Sequence, residues 1–175
     1  MAATFLKAKS CEVGLSPVEQ DMLDLAARLI EDSAKNGVCL LLPVDVVVAD
    51  GLGAEAKAST VDAENIPSHL MIVDIGPKTI KNFTEKLRKC KTIFWNGPMG
   101  IYETPQFAQG THSMAELLAG LDANTIIGGG STAEVVTEMG LVDKMTFIST
   151  GGGASLRFLG GQTLPGVEVL PDKEL

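Results

Sequence analysis

The stretch of residues 125–136, reading T-I-I-G-G-G-S-T-A-E-V-V, constrains the chain more than any other part of it. Its β-branched opening, Thr125, Ile126 and Ile127, predicts a buried strand; three glycines follow, and Ser131 and Thr132 stand where a helix would begin. Residues without a Cβ let a ligand reach the main chain, while the unpaired first-turn N–H groups and the positive end of the helix dipole favour an anion there. Such a turn reads as a phosphate cradle, and taken singly it reads equally well as a tight turn whose glycines serve packing alone. The chain, however, repeats the device. Residues 145–154, M-T-F-I-S-T-G-G-G-A, are again a β-rich run, a Ser-Thr pair and three glycines, and residues 93–100, I-F-W-N-G-P-M-G, are a third strand ending in a Gly-Pro-Gly loop. Ligands of open α/β sheets bind beyond the carboxyl ends of the strands, so three such ends point to one cleft.

Strands and helices alternate around these turns. Ser16 and Glu19 have the spacing of a capping box, Pro17 suits a first helical position, and Val18, Met22, Leu25 and Leu29 recur at helical spacing, which predicts a helix over residues 17–35 ended by Asn36 and Gly37. The apolar run 38–42 predicts a strand covered on both faces, broken by Pro43, and residues 45–49 are β-branched again. A polar connection over 50–68 has room for a short strand near Thr60 and Val61. Strands are expected at 70–73, 92–95, 125–127 and 145–148, and helices over 77–89, 107–121, from the central glycine turn to 140, and over 154–159, with an extended tail at 164–171. This alternation predicts an α/β fold, a doubly wound and mainly parallel Rossmann-like sheet, and 175 residues suit one nucleotide-binding domain spanning 1–175.

A net charge of −8 argues against a nucleic-acid backbone or an anionic membrane surface as the main partner. An anionic ligand must therefore be held by local amides and dipoles. No apolar run approaches the ~18 residues of a membrane span. Three cysteines, odd in number and without C-x-x-C spacing, read as reduced thiols of a cytoplasmic protein. Lys86, Arg88, Lys89 and Lys91 sit at the C-terminal end of a predicted helix, where they suit the negative end of its dipole better than they suit a phosphate. His69 and His112 lack partners at metal-ligand spacing and read as surface or capping residues.

Two glycine signatures can be weighed directly. A Walker loop requires Gly-Lys-Ser or Gly-Lys-Thr, which the chain lacks. Gly128, Gly130 and Ala133 fit the dinucleotide pattern G-x-G-x-x-A, but the next strand ends Ile148-Ser149-Thr150-Gly151, without the acid that would hold a ribose.

Taken in order, Trp95-Asn96-Gly97-Pro98-Met99-Gly100 with Glu103, the Ile127 to Thr132 turn, Ser149-Thr150-Gly151-Gly152-Gly153-Ala154-Ser155-Leu156 and Leu164-Pro165-Gly166-Val167 resemble phosphoglycerate kinase, as do Thr4-Phe5-Leu6-Lys7-Ala8, Leu42-Pro43-Val44-Asp45 and Asp74-Ile75-Gly76-Pro77-Lys78. The resemblance covers the whole chain. It implies the later part of that family's C-terminal, nucleotide-binding lobe, with the N-terminal lobe, the first strands of the nucleotide lobe and the lysines that contact the transferred phosphoryl group missing. It implies reversible phosphoryl transfer between 1,3-bisphosphoglycerate and ADP, giving 3-phosphoglycerate and ATP in glycolysis, with Mg²⁺ as cofactor and the phosphoglycerate held by the absent lobe. On this reading the chain alone is inactive; the alternative is a nucleotide-binding or interaction fragment without catalysis.

Residue by residue, the resemblance implies that Asn96, Pro98, Gly100 and Ile101 border the nucleotide and that Glu103 accepts hydrogen bonds from the ribose. Gly129, Gly130, Ser131 and Thr132 would hold its phosphates, and Gly151, Gly152 and Gly153 would lie by the transferring phosphoryl group, where preorganised N–H donors act on developing charge. Two positions depart from the family pattern. Ser131 replaces an Asp that looks like the carboxylate meeting Mg²⁺, and a neutral hydroxyl is a weaker ligand for a hard cation. Ile72 replaces a Gly on the adenine side, where it would crowd the base. Lys7 matches a family lysine for which a surface or structural role is expected.

Overall fold

Five residues, Asp45–Ala49 (β1), carry the first of two compact units in the computed structural model, which describes residues 1–149 and 151–171. This unit comprises residues 1–89 and 99–114. Val46, Val48 and Ala49 are fully buried, as a central strand of β-branched residues should be. β1 lies between β2 (Ala58–Asp62) and β3 (Met71–Ile75), antiparallel to both. On one side Val46 and Val48 pack with Leu6 of α1 (Ala2–Ala8), Val13, Ala63 and Ile66, and α2 (Leu23–Lys35) lies against α1. A second cluster joins Ala49, Val73 and Phe107. Val47 stands opposite Asp74 and Val48 opposite Ile72, so Val73 is the extra residue of a bulge in β3.

Two helices of this unit receive their caps from strands. α3 (Pro77–Leu87) follows Gly76 and has no side-chain cap from its own N-cap residue, and α4 (Gln109–Ala119) follows Ala108. The buried Asp45 of β1 accepts the N–H groups of Lys78 at 2.9 Å and Thr79 at 2.7 Å, and the buried Asp74 of β3 accepts that of Gly110 at 2.7 Å. Each carboxylate satisfies first-turn donors and meets the positive end of a helix dipole.

The second unit, residues 90–98 and 115 onward, holds a parallel sheet in the order β4 (Thr92–Asn96), β5 (Asn124–Gly128), β6 (Phe147–Ser149). Ile93, Trp95 and Ile127 are buried on one face. Phe94, Ile126 and Phe147 of the alternate positions line a cavity of about 450 Å³ together with Phe158, Leu159 and Leu164. Helices α5 (Gly130–Glu138), α6 (Gly152–Leu159) and α7 (Pro165–Glu168) complete the unit. The α/β class expected from sequence is found, with its parallel sheet here; the first unit's sheet is antiparallel because the short 50–57 connection turns the chain straight back on itself.

Three local expectations are corrected. The helix expected from residue 17 starts as a 3₁₀ turn at Gln20–Met22 and becomes α-helical at Leu23. Both halves of its capping box are diverted: the Ser16 hydroxyl accepts the N–H of Ile72 at 2.9 Å, and the Glu19 N–H donates to Thr4 Oγ1 at 3.2 Å. Residues 38–42 form no strand; Val38 N–H turns back to Ser33 O, Leu40 N–H to Val38 O, and Pro43 blocks continuation into β1, leaving Val38 63% exposed. The 164–171 tail, expected extended, contains the single turn α7, opened by Pro165 at a first helical position.

Candidate functional site

The parallel register of the second unit aligns the ends of its strands: Asn96 stands beside Gly128, and Gly128 beside Ser149. Beyond this row the chain turns three times. Gly97 and Gly129 adopt φ of 100° and 90°, a left-handed backbone that a side chain disfavours. The Asn96 carboxamide is packed among the other glycines, since a Cβ would lie 2.9 Å from Asn96 Oδ1 at Gly128, 3.2 Å at Gly129 and 2.7 Å at Gly152. A Cβ on Gly152 would also come within 2.7 Å of Gly129 Cα and 2.8 Å of Gly129 N, so the two glycine turns meet backbone to backbone. The Gly129 N–H donates to Ser149 O at 3.1 Å, and Ser149 Oγ lies 3.0 Å from Ser155 Oγ, tying the end of β6 to α6.

Around this junction some glycine faces are closed and others are open. Gly152 is buried, whereas a Cβ on Gly130 or Gly153 would meet nothing within 4 Å. The first α5 main-chain bond runs from Ala133 N–H to Gly129 O, so the N–H groups of Gly130, Ser131 and Thr132 precede the helical ladder. Ser131 is exposed. Thr132 is fully buried, with its hydroxyl accepting the Gly97 N–H at 2.8 Å; that side chain braces the 97–98 turn. The three turns carry no carboxylate and no cation among residues 96–98, 128–132 and 151–153, so an anion there would meet main-chain dipoles alone. Thr150 lies outside the described residues. Such an array could position an anion through main-chain dipoles and offers no general base.

The first unit holds the remaining predicted residues. Ile72 is half-buried on β3, Gly100 and Ile101 are half-buried, and Glu103 is exposed in the segment leading to α4. The Ile101 N–H donates at 2.9 Å to the carbonyl of Val73, the bulged residue, and the buried Thr111 hydroxyl accepts the N–H groups of Met99 at 3.0 Å and Gly100 at 3.3 Å. Asp74, not selected from the sequence, sits behind this segment. Burial pushes its carboxyl up to about 6, against the pull of the Gly110 and Ile75 N–H groups and of His112. Its sequence signal was an acid inside an apolar strand, V-D-I.

The basic run after α3 is exposed, with Lys91 paired to Asp122 at 3.1 Å. Lys7 pairs with Glu12 at 3.2 Å on the surface. His69 is exposed, and among the described residues no group of three or more His, Cys, Asp or Glu could hold a metal ion. Ser131 contributes one neutral oxygen at a helix start. These residues do not amount to a protein-held site for Mg²⁺, a cation that takes a full octahedron of oxygen ligands. No helix among the described residues is long and apolar enough to cross a membrane.

A family model described as phosphoglycerate kinase matches residues 1–162. The phosphoglycerate kinase of Geotalea daltonii is 50% identical over 171 residues, covering 97% of this chain and 43% of that protein. That of Pelotomaculum thermopropionicum is 53% identical over 173 residues, covering 99% and 44%. Among solved structures, phosphoglycerate kinase from Coxiella burnetii aligns with a TM-score of 0.90 at 41% identity over 95% of this chain and 43% of that one. The enzyme from Pyrococcus horikoshii OT3 aligns with a TM-score of 0.77 at 30% identity. The chain thus spans less than half the length of the curated relatives it matches.

Proposed function

We propose that this chain, which belongs to the phosphoglycerate kinase family, is a nucleotide-binding domain supplying part of the nucleotide half of reversible phosphoryl transfer between 1,3-bisphosphoglycerate and ADP. The observation that carries the reading is the junction of two glycine turns on Asn96, with the faces of Gly130 and Gly153 left open beside first-turn amides. Phosphoryl transfer asks little covalent chemistry of a protein; its rate comes from placing the groups in line and stabilising charge on the moving phosphoryl. Rigid main-chain donors suit that task because they need no reorganisation during reaction, and one such donor is typically worth about 10²–10³ in rate.

In the second unit the amides of Gly130, Ser131 and Thr132 receive the nucleotide phosphates, and those of Gly151, Gly152 and Gly153 face the transferring group, with Asn96 and Pro98 bordering the nucleotide. The family resemblance assigns Gly100 and Ile101 to the border of the nucleotide, Glu103 to the ribose hydroxyls and Ile72 to the side of the base. When bound, Mg²⁺ would neutralise phosphate charge; Ser131 would offer it one neutral hydroxyl, and the described residues around it do not form a metal site. With one neutral oxygen here where a carboxylate would serve, and no cation on the three turns, the chain holds nucleotide in the cytoplasm and does not turn over by itself. The phosphoglycerate belongs to polypeptide that this chain does not include.

Titration calorimetry with ADP tests the assignment. Gly130→Val should weaken binding at least about ten-fold by filling the open face of the cradle, and Lys89→Ala, at the exposed basic run, should change it by less than about two-fold. A larger effect at Lys89 would remove the glycine turn from the site.

A further inference from the structure

Residues 99–101 are held to β3 and to the start of α4 by three main-chain N–H groups, which go to Thr111 Oγ1 and to the carbonyl of the bulged Val73. The space behind them is filled by one carboxylate. Asp74 is 1% exposed, with Oδ1 accepting the N–H of Ile75 at 2.8 Å and Oδ2 that of Gly110 at 2.7 Å. Two glycines admit it. A Cβ on Gly100 would collide with the Asp74 carboxylate and lie 2.6 Å from Phe107 O, and one on Gly110 would collide with the same carboxylate and lie 2.5 Å from Ile75 Cγ1.

We propose that Asp74 is a positioning residue for the nucleotide: its ionised carboxylate fixes Gly100 and Ile101, and through them Glu103, by anchoring that segment to the first turn of α4. The proposal rests on the reading of Ile101 and Glu103 as nucleotide contacts. Both carboxylate oxygens already accept N–H groups, so a proton on either adds a donor among donors and removes the negative charge that faces the α4 dipole. The titratable groups on the surrounding elements are His112 on α4, Glu103 in the segment itself, and Asp45 on β1, whose carboxylate is engaged by Lys78 and Thr79. Burial places the Asp74 transition at about 6, within reach of ordinary binding measurements.

The test follows ¹⁵N amide shifts of Gly100, Ile101 and Gly110 in the free chain from pH 5 to 8, with ADP affinity measured over the same range for the wild type, Asp74→Asn and His112→Gln. The three amides should titrate together with a midpoint near 6 in the wild type and in His112→Gln, and stay flat in Asp74→Asn. Wild type should bind ADP about ten-fold more tightly than Asp74→Asn at pH 8, the ratio closing toward unity at pH 5 as Asp74 itself takes up a proton, while the nucleotide's own titration, common to both forms, cancels from the ratio. A ratio independent of pH, with ADP bound, overturns the positioning role and leaves the nucleotide reading intact. Absence of ADP binding by any form overturns the nucleotide reading, and the amide titration then decides alone whether Asp74 holds the segment. A wild-type titration that moves Gly110 but neither Gly100 nor Ile101 overturns the proposal without any variant having to fold.

Discussion

Alanine at Gly152 and alanine at Gly153, neighbours in the first turn of α6, should act in opposite directions. At Gly152 the new methyl meets Asn96 Oδ1 and the Gly129 main chain at 2.7–2.8 Å, and backbone cannot step aside as a flexible side chain could. Over-packing of this kind costs about 1–3 kcal/mol, offset by up to about 1 kcal/mol from replacing a helical glycine, so a net loss of about 1–2 kcal/mol is expected. For a chain of this size that lowers Tm by roughly 2–8 °C. At Gly153 the methyl meets nothing, so only the helix gain remains, about 0.5–1 kcal/mol. That methyl nevertheless occupies ground the proposal reserves for a phosphoryl group, so Gly153→Ala should raise stability while weakening ADP binding, and Gly152→Ala should lower both. The single tryptophan, Trp95, adjoins Asn96 and reports unfolding by its fluorescence, with calorimetry reporting ADP. Equal Tm shifts of the same sign would refute the backbone junction; unchanged ADP affinity in Gly153→Ala would refute the open face as a ligand site.

Other expectations concern the carboxylates. Asp45→Ala should cost about 2–4 kcal/mol in urea unfolding, because it strands the buried Thr79 N–H and uncaps α3. Asp74 has a folded value of about 6 against 3.8 unfolded, so the native state binds the proton more tightly; its contribution to stability is full below 3.8 and is lost as pH rises through about 6. Measured as the difference between wild type and Asp74→Asn, that loss should reach about 2–2.5 kcal/mol between pH 4 and 7. Ser131→Asp should make ADP affinity depend more steeply on Mg²⁺ than in the wild type, as followed by calorimetry at several metal concentrations, and an unchanged dependence would discount position 131 as a metal contact.

Legibility in the sequence followed the range of the interactions. The 125–132 turn was readable because strand, glycines and helix start are contiguous, and the buried T-I-I run and the helix after it appear as expected. At Ser16, Glu19 and Asp74 a distant partner won, and at 38–42 a local turn did. Ser16 and Glu19 have perfect local spacing, yet β3 and α1 claim their polar atoms. The 38–42 run has strand composition, yet its N–H groups turn back to nearby carbonyls and its side chains stay exposed. Asp74 is marked locally only as an acid inside an apolar strand; the Gly110 N–H that gives it a role lies 36 residues away. Asn96 was selected through resemblance, and its packing against three glycines from two other turns becomes visible only in the assembled sheet.

The strand-borne caps also set an order of events in folding. α3 and α4 start without local N-terminal capping side chains, and the acids that complete them lie 34 and 36 residues from the bonds they make. Loops of that length must close before either helix gains its cap, so each segment by itself is a short, frayed helix with little independent population. Completion of either helix is then tied to β1 and β3 being in place. In refolding, truncating Asp45 or Asp74 should mainly change the rate if the capped pairs are already present at the barrier, and mainly the unfolding rate if they close after it.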